Sequence, residues 1–479
     1  MEQLLTLYHI RENIKTQIEN DEQNSRIQSG KTGKFTRKRL PNHYKKLFAL
    51  LIFYTGCTIA QAQNINTLSE CLQIALENNY SLQIVKNENE IAKNNYTKAN
   101  AGFLPTVDAS ARYAGGLNSN GSTDFSNIDA KTNGQLSNAG SASVDASWDI
   151  YSGMKSHARY EQLKELKEIS DLNTRFEIEN LIANVASEYY YLVQQEQHKN
   201  NLEFILSVSK DRLRIVKINY ELGSRSKLEL LQAQVDFNAD SSALVRQKQQ
   251  ILSSKIRLKT LMGELNREQL VPDSTISLLP TLNYTDLLEQ TTGENTQLQL
   301  AAKQIKVSEQ ELKIVRSNSL PYLQLTSGYN YNYNRNNKGV IKSSYTNGLD
   351  FGLTLGMNLF DGGNRKREIK NAEIAKKNKE LEQKEILQSV EATLLEIYTS
   401  YDNNLVLMKV ERQNLKTARE NFEVAAQRYR LGELAGIDMR EAQNSLQDAE
   451  KRLLDVEFNA KTDEISLMMI SGNITEYMN

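Results

Sequence analysis

The sequence predicts an internally duplicated membrane α+β protein. Four transmembrane β-strands per chain would complete a 12-stranded trimeric barrel, continued by a long coiled-coil α-helical periplasmic barrel. Three observations predict it. Tyr220-Glu221-Leu222-Gly223 recurs as Tyr429-Arg430-Leu431-Gly432, 209 positions on, and Ala233-Gln234 and Ala442-Gln443 follow at the same spacing. Each copy sits between two long heptad-patterned segments. Each is preceded by two stretches in which apolar and polar residues alternate. A repeat of this size governs the fold.

The elements follow in order. Residues 1–43 are polar without a clear heptad and read as an upstream extension. Residues 44–62 read as a signal peptide: a basic stretch through Lys45 and Lys46, an apolar run over 47–54, and the small-residue site Ala60-Gln61-Ala62, so the mature chain would start at Gln63. Lipidation at Cys57 is the rival reading. The first repeat spans 63–263: a helix over 68–103 capped by Ser69, strands over 105–114 and 142–151 with a Gly/Ser/Asn-rich loop over 114–140 between them, a long helix over 153–222 and a return helix over 226–263. Residues 264–296 form a connector. The second repeat spans 297–472: a helix over 297–318, strands over 321–334 and 348–360 around a polar loop, a long helix over 363–431 and a return helix over 437–470. Residues 473–479 are a tail.

The long helices run without proline for about 70 residues, on the order of 100 Å. No single globular domain buries such a helix, so it must lie along another. Leu415, Ala418, Phe422, Ala425 and Tyr429 step by three and four residues, as do Leu206, Ser209, Leu213, Val216 and Tyr220, which is the coiled-coil period. That leaves no spare apolar stripe to cover the strands. Their apolar faces then need lipid, and their open edges need further copies, since an open edge is not tolerated in hydrocarbon. Three chains supply enough strands to close a barrel with a polar interior. Asp108, Arg112, Asp145 and Asp149 would face that interior. Tyr113, Trp148, Tyr329, Tyr331 and Tyr333 suit an aromatic girdle at the headgroup level.

Composition excludes other classes. A net charge of -1 gives no reason for nucleic acid. Two cysteines cannot build a disulfide framework, and Cys71 is expected as a small buried residue. His9, His43, His157 and His198 show no metal-ligand spacing, and no catalytic constellation or nucleotide fingerprint occurs, so no cofactor is expected. A non-membrane coiled-coil scaffold or adaptor is the competing class.

The duplicated order of helix, proline, strand, loop, strand, glycine, long helix and return helix resembles the TolC-type trimeric outer-membrane efflux proteins. So do the Tyr-x-Leu-Gly…Ala-Gln tips and the Leu359-Phe360-Asp361-Gly362-Gly363 strand end. The resemblance covers nearly all of 65–472. It implies an outer-membrane homotrimer that conducts substrates passively from a periplasmic adaptor and an inner-membrane pump of RND, ABC or MFS type. It implies that the tips at Leu222, Gly223, Leu431 and Gly432 dock the adaptor and close the aperture. It further implies an acidic ring at Asp438 and Glu441, with Tyr429 and Glu229 bonding across neighbouring coils. Some relatives carry a basic residue two positions after the second tip glycine, where this chain has Leu434, so its closing network is expected to differ.

Overall fold

Strand pairing turns the alternating sequence into two chemically distinct faces. The computed structural model describes residues 67–478 except 124, 126–128, 266–269, 274, 280–281 and 339–340. In it, β1 (Thr106–Thr123), β2 (Asp129–Ser152), β3 (Tyr322–Asn336) and β4 (Ser343–Gly356) form one antiparallel sheet in the order β1-β2-β3-β4. Ala109, Val144, Tyr329 and Leu349 align across the four strands, and further along so do Tyr113, Gly140, Tyr333 and Tyr345. The opposite face carries the rows Asp108–Asp145–Gly328–Asp350 and Arg112–Ser141–Asn332–Thr346. Val107, Leu349, Phe351, Leu353 and Leu355 are all exposed, so no described element of the chain covers the apolar face. Among the described residues the outer edges of β1 and β4 have no partner strand.

The helices repeat the same order twice. The first copy has α1 (Leu68–Asn78) and α2 (Tyr80–Asn95) before the β1–β2 pair, then α3 (Lys155–Glu221) and α4 (Lys227–Leu261). The second has α5 (Tyr284–Glu294) and α6 (Thr296–Ser317) before β3–β4, then α7 (Asn364–Arg430) and α8 (Gly436–Ile470). A 3-10 turn, Ile474–Met478, closes the described chain. Helices α3 and α7 are 67 residues each, about 100 Å. Their return helices, at 35 residues, pair with only the distal half. The half nearer the sheet is covered instead by α2 and α6. Among the described residues no helix is long and apolar enough to cross a membrane.

Several sequence expectations need correction. The helix over 68–103 is two helices: Asn79 breaks it, α2 ends at Asn95, and Thr67 rather than Ser69 caps the start. The Asn79 side chain accepts from Leu82 N at 3.1 Å and donates to the Leu261 carbonyl at 2.9 Å. Asn295 does the same with Leu298 N at 3.1 Å and the Ile470 carbonyl at 2.9 Å. A short amide that competes for backbone groups interrupts a helix, and here it also clasps the end of a return helix. The connector over 264–296 accordingly contains α5, the counterpart of α1. The loop over 114–140 is largely strand, with Leu117 opposite Leu136. Ladder bonds are made by backbone, so Gly, Ser and Asn serve where neither face is buried. The last strand starts at Ser343, before the expected 348, and stops at Gly356, short of 360. In α3 the buried stripe is Leu202, Ile205, Ser209, Arg212 and Val216. It is rotated from the expected Leu206, Leu213 and Tyr220, because α8 as well as α4 packs on α3. The upstream extension and the signal peptide lie outside the described residues.

The core sits where α1, α3, α4 and α8 meet, around Leu72, Val185, Tyr189, Leu258 and Ile465, with Cys71 fully buried among them. A buried ion pair anchors the connector and tail to it. Lys461 Nζ lies 2.6 Å from Glu464 Oε1 and donates to the Ser277 carbonyl at 2.8 Å. Leu279 N donates to Glu464 Oε2 at 2.8 Å, and Tyr477 donates its hydroxyl to the same carboxylate. The ammonium also lies over the rings of Tyr190 and Tyr477 at 4.8 and 4.9 Å, a cation–π cage. Burial, then the Glu464 charge, raise the Tyr477 hydroxyl above its ordinary pKa, so it stays a donor. Breaking one side of a buried pair costs about 3–5 kcal/mol. Lys461→Met is therefore expected to lower thermal stability by that order and to open residues 270–283 to protease, whereas Lys370→Met, at an exposed site, should do neither.

Candidate aperture at the hairpin tips

Both tips are built the same way. Gly223 and Gly432 have φ of +75° and +79°, which only glycine adopts without strain. Ser224 N donates to the Asn219 carbonyl and Glu433 N to the Arg428 carbonyl, each at 2.9 Å, closing a Schellman turn at each helix end. No atom lies within 4 Å of where a side chain would start at either glycine, so another backbone can approach closely. Leu222 and Leu431 are 76% and 73% exposed, and Leu228 and Ile437 are 75% and 78% exposed. The latter two are also 209 positions apart. Each tip glycine is thus bracketed by two unburied aliphatic side chains.

The restart after each tip differs. Ser226 and Glu229 form a capping box, Glu229 N to Ser226 Oγ at 3.2 Å and Ser226 N to Glu229 Oε2 at 3.3 Å. Arg225 also reaches Glu229 at 3.2 Å. Glu229 is therefore occupied locally, and within the chain it makes no hydrogen bond to Tyr429. Tyr429 is buried with Phe422, Ala425, Met439, Ala442 and Leu446, beside Leu434. Burial raises its hydroxyl pKa, opposed by the charges of Arg225 and Arg212. The second restart has no side-chain cap at Ala435. Asp438, in the first turn of α8, favours the exposed amides there. Asp438 and Glu441 are three residues apart and both exposed, on the outward side of a helix whose Met439, Ala442 and Gln443 face inward.

A polar network joins the two hairpins behind the tips. Arg440 holds Asp240 bidentately, at 2.7 and 2.9 Å, tying α8 of the second hairpin to α4 of the first. Ser209 donates to the same carboxylate. Gln443 Nε2 donates to Ser209 Oγ at 2.8 Å and the Ile205 carbonyl at 3.3 Å. One turn away, Arg212 pairs with Asp236. Two arginines and two aspartates make this seam charge-balanced, and Asp240, Arg212, Ser209 and Gln443 are buried. Hydrogen bonding to Asp240, less the cost of burial, raises the Arg440 pKa further, so the cation persists. The signal in the sequence was polar residues at inward heptad positions, Ser209 among them. Phe204 meets Phe422 at 5.9 Å just above. Those two are 218 positions apart, nine more than the repeat, so the hairpins pack out of register.

At the sheet, Asp108, Arg112, Asp145 and Asp149 share the polar face. Ser143 donates to Asp145 at 2.7 Å and Gln324 to Asp149 at 2.9 Å. The five aromatics lie on the apolar face but at more than one level. Trp148 donates to the Phe103 carbonyl at 2.9 Å, next to the helices. Tyr113 and Tyr333 align with Gly140, eight residues from Trp148, or about 26 Å along the strand at ~3.3 Å per residue.

With the geometry in view, the relatives are informative. The family model described as outer membrane efflux protein matches residues 71–264 and 287–473. The outer membrane protein TolC of Vibrio cholerae serotype O1 is 23% identical over 443 residues, covering 90% of this chain and 96% of its own. Among solved structures, the Campylobacter jejuni CmeC outer membrane channel superposes with a TM-score of 0.70 at 16% identity, covering 93% of this chain and 90% of that one. The Vibrio cholerae outer membrane protein VceC gives 0.67 at 16% identity, over 85% and 96%. The two intervals of the family model stop at the connector and resume inside α5, following the internal duplication. The chain belongs to the outer membrane efflux protein family, outer-membrane channels with a β domain and a periplasmic helical tunnel.

Proposed function

We propose that three copies close their sheets edge to edge into a 12-stranded barrel and their helices into a tunnel. The assembly is the passive exit duct of a tripartite efflux or secretion system, fed by a periplasmic adaptor and an inner-membrane pump. The observation that carries this is the sheet: an uncovered apolar face, a polar opposite face and two open edges, joined to helices of 67 residues. Lipid satisfies the first, water the second and neighbouring chains the third. Cell fractionation tests the membrane placement: the full chain is expected in the outer-membrane fraction, and recovery as a soluble periplasmic protein would support a scaffold instead.

The tips serve as aperture and docking site. The Arg440–Asp240 seam fixes the second tip against the first, and so fixes where Asp438 and Glu441 stand. Repeated three times around an axis, those carboxylates form a ring that attracts cations and holds divalent ones. In planar bilayers, Asp438→Asn with Glu441→Gln is expected to weaken divalent-cation block of the current at least ~10-fold, the effect of losing about 1.4 kcal/mol of binding. Arg440→Met, which frees the second tip, should raise the closed-state current. Unchanged block and unchanged current would dismiss the ring and the seam as aperture elements.

The exposed pairs Leu222 and Leu228, and Leu431 and Ile437, suit an apolar tip-to-tip contact with the adaptor. Photo-crosslinking residues placed at 222 and 431 are expected to capture an adaptor of the same cell envelope. Leu228→Ser with Ile437→Ser should reduce that yield severalfold without changing membrane insertion. Crosslinks only between copies of this chain would argue for tips that seal one another.

A further inference from the structure

The helix ends nearest the sheet carry an excess of positive charge that the described residues do not neutralise. Segments 95–104, 153–162, 311–320 and 361–373 contain nine lysines and arginines against five acids. Three of those acids are already engaged: Asp361 by Arg365 at 3.3 Å, Glu373 by Arg316 at 2.7 Å and Glu368 by Arg367 at 3.6 Å. Lys98, Lys155, Arg159, Lys366 and Lys370 have no acidic partner within 4 Å among the described residues, and all five are exposed. At the helix end of the sheet the apolar face finishes in the row Tyr151–Leu323–Leu355, one row past Trp148, and Met357, Leu359 and Phe360, which follow β4, are also exposed. An apolar band that stops at an aromatic residue, followed within two helical turns by unpaired cations on long side chains, is the profile of a hydrocarbon edge meeting an anionic headgroup layer.

We propose that this basic collar binds anionic phospholipid headgroups of the periplasmic leaflet and sets the depth of the barrel in the membrane. The inference rests on the membrane placement of the sheet and is independent of the aperture. The leaflet follows from orientation: the collar lies on the helix side of the sheet, and the helices are periplasmic. Salt should weaken the contact, because exposed charges are screened within about 8 Å at physiological ionic strength.

The test uses the full-length protein in vesicles of phosphatidylcholine containing phosphatidylglycerol as a minor component, followed by extraction and counting of retained lipids by mass spectrometry. Phosphatidylglycerol is expected to be enriched over its bulk fraction by about fivefold, the effect of one basic group at an anionic surface. The enrichment should fall toward unity in 0.5 M salt, on the order of a 4 Å screening length, and in Lys155→Gln/Lys366→Gln/Lys370→Gln. These are exposed sites, and insertion and heat stability of the variant are measured in parallel to show that it folds. No enrichment in the unaltered protein, or enrichment unchanged in the folded variant, overturns the proposal. A variant with unchanged lipid retention but altered ion selectivity also overturns it, by placing the lysines in the lumen.

Discussion

A sheet edge in hydrocarbon has nowhere to spend its hydrogen bonds. The outer edges of β1 and β4 present a row of backbone N–H and C=O groups, and each one left unpaired in lipid costs several kcal/mol. The apolar face poses the complementary problem, because Leu349, Phe351 and Leu353 remain uncovered by any described helix of the chain. Water cannot solve the second problem and lipid cannot solve the first. The proposed closure with further copies in a membrane answers both. In that proposed barrel the polar rows of Asp108 and Arg112 would line the interior. The helices leave the sheet together on one side.

The helical half solves a different problem with the same duplication. A helix of 67 residues needs a partner along its whole length, yet each return helix has 35. The shortfall is met by short helices near the sheet, and the handover is fixed by Asn79 and Asn295. Each caps one helix and clasps the terminal carbonyl of another. Near the tips the two copies diverge. The first restart is locked by Ser226 and Glu229, while the second leaves Asp438 and Glu441 exposed beside the Arg440–Asp240 seam. The two copies share their helices and turns and differ in how the chain restarts after each tip.

Much of this was legible in sequence because it follows from period and repetition. Alternation through Val144, Ala146 and Trp148 gives a two-faced strand, and the paired Tyr-x-Leu-Gly motifs give two equivalent turns. What was not legible depends on partners distant in the chain. Asn79 caps the next helix through Leu82 N, a local bond, but the bond that clasps the carbonyl of Leu261 needs a partner 182 residues away. The strand through Gly115 and Gly116 has no alternation to read, because neither face is buried there and the ladder alone holds it. The polar seam was visible as Ser209 on an apolar stripe, but its charge balance required knowing that Asp240 and Arg440, 200 residues apart, meet. The local capping box of Ser226 and Glu229 likewise shows only once the helix restart is in place.

The account's central claim is that open sheet edges of separate copies meet. The direct measurement is crosslinking between β1 and β4 of different chains, with single cysteines replacing Ala109 and Leu353 in a background without Cys57 and Cys71, bridged by a reagent with a short arm of about 10 Å, twice the spacing of paired strands. The account predicts that membranes yield covalent species ending at three chains, with no larger ladder. Monomers alone, or a ladder that continues past three, would contradict it.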